Sequence, residues 1–308
     1  MLTATPSTVE RTTADILRLL LPHRRHVRGD TVSQPEAFRP QLAQLAAFVR
    51  TGEPILFTLP GFPCKSPNPD KVLGPLPDEG ERLSLRFLDE LCATIEAVYP
   101  PGARMLICSD GHIFGDHIGV ADGTIDAYGT ALRAMIHAER RTCLETFDLG
   151  DVLGETGYDE KRRRVHEEFA PTVDDLRAQV HHDENMTRLY RGITRFLVED
   201  TVGHTGTKSA LQRECRRRAY GVIQRSNAWS SLIAARFPRS VRLSIHPQPP
   251  GAAKFGIRLL DVDDQWTTPW HSCVLLRADG TPTLLPHHRA RALGTLAYRD
   301  GRPSHYVA

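Results

Sequence analysis

Long apolar runs are missing from this chain. Nothing in its 308 residues approaches the roughly 20 that a membrane-spanning helix needs. No charged, apolar leader opens it, so a cytoplasmic location is expected. Charge of one sign is also missing: 39 Lys and Arg face 37 Asp and Glu. A net charge of +2 argues against nucleic acid as the main partner, because a dedicated binder is far more basic. The local runs Lys161–Arg164 and Arg216–Arg218 sit in helical, carboxylate-bearing sequence and read as solvated helix faces. The six cysteines, at 64, 92, 108, 143, 215 and 273, include no CxxC pair, which speaks against a disulfide frame or a zinc site. No GxGxxG follows a strand, so no nicotinamide or flavin fingerprint is present. Gly203–Ser209 (GHTGTKS) imitates a phosphate loop but has Thr207 where glycine must precede the lysine. Internal repeats and low-complexity tracts are absent too.

What remains is ordinary enzyme composition, 40% hydrophobic and 25% charged, in a chain long enough to bury a sizeable core. Apolar periodicity predicts a helix over Ser7–Leu21, stopped by Pro22, and another over Gln41–Arg50. Pro54–Leu59 reads as a buried strand closed by Pro60-Gly61. A polar loop, Phe62–Pro77, leads to a helix from Asp78 to about Tyr99, whose acidic first turn suits the helix dipole. Arg104–Cys108 is the next strand. Strand, helix, strand predicts a right-handed parallel unit.

From Asp126 to about Ala235 the sequence is mainly helical. After Pro238 it changes to short β-type runs at Val241–Ile245, Phe255–Leu260, Cys273–Arg277 and Pro282–Leu285. Ala278-Asp279-Gly280 is a hairpin signal between the last two. The expected fold is α/β over residues 1–308 as one domain. It is a Rossmann-like mixed, largely parallel sheet flanked by helices, with a helical excursion near 145–205 and antiparallel C-terminal strands.

Two blocks carry the polar chemistry. The loop FPCKSPNPDKVLGPLPDEGE, from Phe62, crowds lysine, serine and asparagine between turn residues. Such a loop suits a bound anion better than a core. The run RMLICSDG then delivers Asp110 to the end of a buried strand, where open α/β sheets bind ligands.

The motifs KSPN, KVLG, LPD and GE, then PGA, ICSDG and the F, D, GV and D that follow, resemble the isonitrile (isocyanide) synthase family of pyoverdine/dityrosine biosynthesis. So do RLSIHPQ at Arg242–Gln248, KFGIRLL at Lys254–Leu260, TPWH at Thr268–His271 and GRPSHY at Gly301–Tyr306. The likeness spans roughly residues 50–308. It leaves the first fifty residues and about 145–205 without a motif. It implies an enzyme that condenses the amine of an amino acid, tyrosine or tryptophan in the usual bacterial members, with ribulose 5-phosphate. The ketose carbonyl carbon becomes the isonitrile carbon. Such a site must clamp a phosphate, grip a carboxylate and move protons, and by that logic needs no metal or redox cofactor.

For the anion clamps the candidates are Lys65, Ser66, Lys71, Arg82, Lys254 and Arg258. Turn chemistry would explain Lys65 and Ser66 equally well, and Lys71 could merely snorkel from a packed turn. Pairing with Asp78 or Glu79 would explain Arg82. Lys254 and Arg258 fall at i and i+4 of an expected strand, hence on one face, where two cations repel unless they share an anion. For proton transfer the candidates are Asp110, Asp116, His246 and His271. An Asx-turn or helix cap is the bland account of Asp110, and a satisfied core group that of either histidine. Trp270 and Tyr128 could stack on an aromatic substrate or fill a core. Cys64, beside Lys65, could carry a reactive thiolate.

Two rival readings stay open. His181-His182-Asp183 contains an HxD that, with His271 and Arg277, could serve an iron- and 2-oxoglutarate-dependent oxygenase. A non-catalytic sugar-phosphate or amino-acid binding protein fits the motifs as well.

Overall fold

The computed structural model describes residues 7–260 and 267–308. Helix α1 (Thr8–Leu20) begins at a reciprocal cap between Ser7 and Glu10 and buries Ile16, Leu17 and Leu20. Helix α2 (Arg39–Thr51) follows and ends at Gly52. Strand β1 (Ile55–Pro60) is buried on both faces, as a largely apolar strand inside a parallel sheet should be. Helix α3 (Glu79–Val98) starts at Asp78, which caps Gly80 N–H while Glu81 reaches back to the Asp78 N–H.

Strand β2 (Ala103–Cys108), the short helix α4 (Gly111–Ile118), helix α5 (Asp122–Ala138) and strand β3 (Leu144–Phe147) complete the first half. A helical stretch then runs through α6 (Tyr158–Phe169), α7 (Val173–His182), α8 (Glu184–Asp200) and the long α9 (Lys208–Arg236). Strands β4 (Val241–Ser244) and β5 (Phe255–Gly256) return to the sheet. The chain ends with β6 (Cys273–Leu276), β7 (Pro282–Leu285), α10 (His287–Leu293), β8 (Thr295–Arg299) and β9 (Arg302–Val307).

The central sheet has the order β3-β2-β1-β4-β5, and every pair in it is parallel. The chain therefore winds outward from β1 through β2 to β3. It then crosses back over the helical stretch and winds the other way through β4 and β5. The order reverses between β1 and β4, the point where doubly wound sheets open a crevice beyond their strand ends.

The α/β class and the helical excursion are as expected, and two details differ. The C-terminal strands do not extend the central sheet. They form a second sheet, β7-β6-β9-β8, mixed because β6 runs parallel to β9 while the outer pairs are antiparallel. The expected strand Phe255–Leu260 is also cut to two residues. Ile257 instead bridges Arg24, and Arg258 N–H turns to the His23 carbonyl.

Two glycines fix the approaches around the sheet's carboxyl edge. A Cβ on Gly111 would lie 2.1 Å from the Pro63 carbonyl oxygen, so only glycine lets the loop after β1 cross the start of α4. One on Gly256 would meet the carbonyls of Arg25 and His246 at 2.8 and 2.9 Å. The first loop is held by Ser109 Oγ donating to the Phe62 carbonyl at 2.7 Å and by the Phe62 ring packed on Trp270. Among the described residues no helix is long and apolar enough to cross a membrane.

Candidate active site

A cavity of about 820 Å³ opens where the strand order reverses. Pro60 at the end of β1, Asp110 just after β2, and Leu243 to Gln248 at and beyond the end of β4 line its sheet side. Helix α8 forms one wall, Ile223 to Ser230 of α9 another, and Val27-Arg28 with Ala252–Lys254 complete the rim.

Three titratable groups of the expected site, Asp110, Lys254 and His246, line the cavity. Asp110 stands where an N-cap residue of α4 would stand, yet its side chain makes no capping bond. Its Oδ1 is buried without a partner among the described residues. Burial pushes its pKa up to about 7, so this carboxyl can give or take a proton at neutral pH. Lys254 lines the same cavity, with no hydrogen bond or ion pair to a described residue. Burial, aided by Arg242, lowers its pKa to about 8. His246 is lowered to about 3 by burial, then by Arg25 and Lys254, so it is neutral near pH 7.

The cationic wall comes from α8. Arg188, Arg191 and Arg195 recur at steps of three and four, which places them on one helical face lining the cavity, with Arg28 on the rim. Arg188 is paired with Glu184, and Arg195 lies 3.7 Å from Glu199. No described residue pairs with Arg28 or Arg191. Met186, Leu189, Ile193 and Ile223 supply apolar surface between the charges. Guanidinium groups do not titrate in this range and match a phosphate or carboxylate in two-point geometry.

Of the ten residues expected at the site, Asp110, His246 and Lys254 line this cavity. The other seven lie elsewhere. Lys65 is buried, 2.9 Å from Asp78 Oδ2 and 2.7 Å from Glu81 Oε2, and donates to the Pro269 carbonyl at 3.0 Å. All three of its N–H groups are thus taken. Burial alone would depress its pKa, but the two carboxylates outweigh burial and hold it above the normal value. Ser66 Oγ donates to Asp200 at 2.8 Å, and Lys71 Nζ bonds Asp200 at 2.7 Å and Glu199 at 2.8 Å. His271 lies flat on Phe196 with its Nε2 3.6 Å from Asp200 Oδ2, and burial lowers its pKa to about 4. Ser66, Lys71 and His271 therefore fasten the carboxyl end of α8 to the loop.

Arg82 pairs with Glu79 and Glu139, and Asp116 with Arg225 at 3.0 Å. Arg258 lines a different, smaller pocket beside His23 and Phe87 and donates to the Pro22 carbonyl at 2.9 Å. The expected Lys254/Arg258 face is lost because β5 ends at Gly256 and the chain turns between the two.

The other sequence alternatives resolve in similar fashion. Cys64 is buried, and desolvation holds its thiol far above the range of a reactive thiolate. Trp270 and Tyr128 fill the core, the latter donating to Glu81 Oε1 at 3.2 Å. His181 ends α7 exposed to solvent, whereas Asp183 caps α8, accepting from the N–H groups of Asn185 and Met186. That pair is spent on helix ends. Among the described residues no group of three or more His, Cys, Asp or Glu is placed to share a metal ion.

The arginines of α8, with Arg28, escaped the sequence reading because their segment carries no recognised motif. Their own spacing was the available signal. Like charges three and four residues apart repel along a helix unless an anion is shared.

A doubly wound sheet whose reversal point opens a cavity lined by arginines of α8 and by Asp110 is the arrangement in which α/β proteins bind small ligands. The model of the pyoverdine/dityrosine biosynthesis protein family matches residues 45–296. The chain is 43% identical to an L-tyrosine isonitrile synthase of Xenorhabdus nematophila, over 97% of this chain and 92% of that one. It is 39% identical to an L-tryptophan isonitrile synthase of Fischerella ambigua, over 95% and 90%. The crystal structure of the PvcA protein from Pseudomonas aeruginosa superposes with a TM-score of 0.91 at 42% identity, covering 96% of this chain and 99% of that one. The chain belongs to the isonitrile synthase family of pyoverdine/dityrosine biosynthesis proteins.

Proposed function

We propose that this protein converts the α-amino group of an aromatic L-amino acid, tyrosine or tryptophan, to an isonitrile, with ribulose 5-phosphate as the carbon donor and no metal or redox cofactor. The observation that carries this reading is the union, in one cavity, of an arginine wall with a buried carboxyl, Asp110, whose Oδ1 meets no described partner and whose pKa burial raises to about 7. The first suits two anionic substrates and the second suits repeated proton transfer. The names of the relatives supply the amino acids: L-tyrosine for one pair of relatives, L-tryptophan for another.

In this reading Arg28, Arg191 and their neighbours hold the phosphate and the amino acid's carboxylate. Asp110 protonates the oxygen that leaves as water when amine and ketone condense. Its carboxylate then removes a proton from carbon in the following step. The apolar patch of Met186, Leu189, Ile193 and Ile223 takes the aromatic ring. Incubation with ribulose 5-phosphate and a mixture of the twenty amino acids tests this directly. Mass analysis should find one or two aromatic amino acids converted to isonitriles. Conversion that requires 2-oxoglutarate and ferrous iron, or binding without turnover, would replace the reading with an oxygenase or a binding protein.

A further inference from the structure

The cavity carries its cations on two unlike walls. On α8 they are arginines, which stay charged and suit anions. The rim carries a single lysine, Lys254, near enough to His246 to act on its charge, in a lining that also includes Asp110 and Ser244. A lysine kept only as a clamp gains most from a carboxylate partner that holds it charged, as Lys65 has in Asp78 and Glu81. Lys254 has none among the described residues. We propose that Lys254 is a nucleophile: its amine forms an imine with the C2 carbonyl of the ketose phosphate, and the amino acid's amine then displaces it. This deepens, and rests on, the sugar-phosphate reading above.

The chemistry balances without any further reagent. The Nζ lone pair forms a bond to C2, and the carbonyl π pair becomes a hydroxyl with a proton from Asp110. That hydroxyl leaves as water to give the protonated imine. The amine of the amino acid adds to the same carbon, and Lys254 departs as a free amine. Carbon is neither oxidised nor reduced. An ordinary lysine would have about one molecule in 2,500 neutral at pH 7, too few for efficient attack. With its pKa lowered to about 8, Lys254 has roughly one in ten. A preformed imine is also a better electrophile than the ketone, so the second amine meets a primed carbon.

The test is reductive trapping. The enzyme is mixed with ribulose 5-phosphate alone, treated with borohydride, and mapped by peptide mass. A product larger than the native peptide by the sugar phosphate less one oxygen atom should appear on Lys254, and not on the exposed Lys208. Lys254→Arg, which keeps the charge, and Lys254→Met, which keeps the length, should both lose the adduct. Turnover in both should fall by on the order of 10²-fold or more. Trapping needs only the native enzyme, so poor folding of a variant does not blunt it. No adduct on Lys254, or wild-type turnover in Lys254→Arg, overturns the proposal. Wild-type isonitrile formation persisting in that case would leave the sugar-phosphate reading standing. A trapped adduct without isonitrile formation would support the imine and sink the reading.

Discussion

Lys65 is buried and Lys254 partly buried, and the protein treats them in opposite ways. Around Lys65, each N–H has an acceptor and two carboxylates more than offset the cost of burial, so its pKa rises. Around Lys254 no described residue compensates, and burial, aided by Arg242, lowers its pKa to about 8. The carboxyls repeat the contrast: Glu81 meets Lys65, Tyr128 and the Asp78 N–H, while a buried oxygen of Asp110 meets no described partner. The Lys65 ion-pair cluster joins the loop after β1 to the start of α3 and to Pro269. Asp110 and Lys254 line the cavity. A polar group left incomplete costs stability, so its persistence at a cavity wall points to a use, while completeness points to architecture.

The largest expected effect that sharpens this contrast is at Asp110. Asp110→Asn should lower turnover by about 10²- to 10⁴-fold, measured at saturating substrates. It should also stabilise the protein in neutral solution. A carboxyl whose folded pKa is about 7 costs nothing below its unfolded value near 4. It costs progressively more as pH rises through that window. Thermal midpoints should therefore diverge in favour of Asp110→Asn between about pH 4 and 7 and stay apart above it. A variant less stable than the parent at pH 8 would make Asp110 a structural cap after all.

Lys65→Met should do the reverse. It strands Asp78 and Glu81 in the core, at a cost of about 3–5 kcal/mol in denaturant unfolding, whereas the folded fraction should retain substrate binding. Adding Glu81→Gln and Asp78→Asn should recover part of that loss. If Lys65→Met folds normally and instead loses affinity for the sugar phosphate, the division between the two regions fails.

Smaller effects follow on the arginine wall. Arg191→Ala should raise the KM for ribulose 5-phosphate by about 10- to 100-fold, about 1.5–3 kcal/mol for a charge-assisted bond, with little change in Tm. Smallest is Arg258→Ala. Its side chain lines a separate pocket, so kcat and KM should stay within about twofold of the parent.

Much of the fold was legible because its signals are local. The apolar run of β1, the acidic cap of α3 and the Asp279-Gly280 turn between β6 and β7 each follow from a few adjacent residues. The separation of the C-terminal strands into their own sheet was not, since pairing partners are set by packing across the chain. At the site, Asp110 was readable from its place after an apolar strand. Lys65, Ser66 and Lys71 looked like an anion clamp because nothing in the loop itself reveals that Asp78, Glu81, Glu199 and Asp200 will neutralise them. Glu199 and Asp200 come from more than a hundred residues away. The arginines of α8 that line the cavity carried only a periodicity, visible once their spacing is asked to explain mutual repulsion.

The account turns on one claim: that the cavity at the β1/β4 reversal builds an isonitrile from a ketose carbon. Ribulose 5-phosphate labelled with carbon-13 at C2, incubated with the enzyme and L-tyrosine or L-tryptophan, tests it most directly. The account predicts an isonitrile whose single labelled carbon is the terminal one, formed by the parent and lost in Asp110→Asn. An unlabelled isonitrile, or label incorporated equally well by Asp110→Asn, would contradict it.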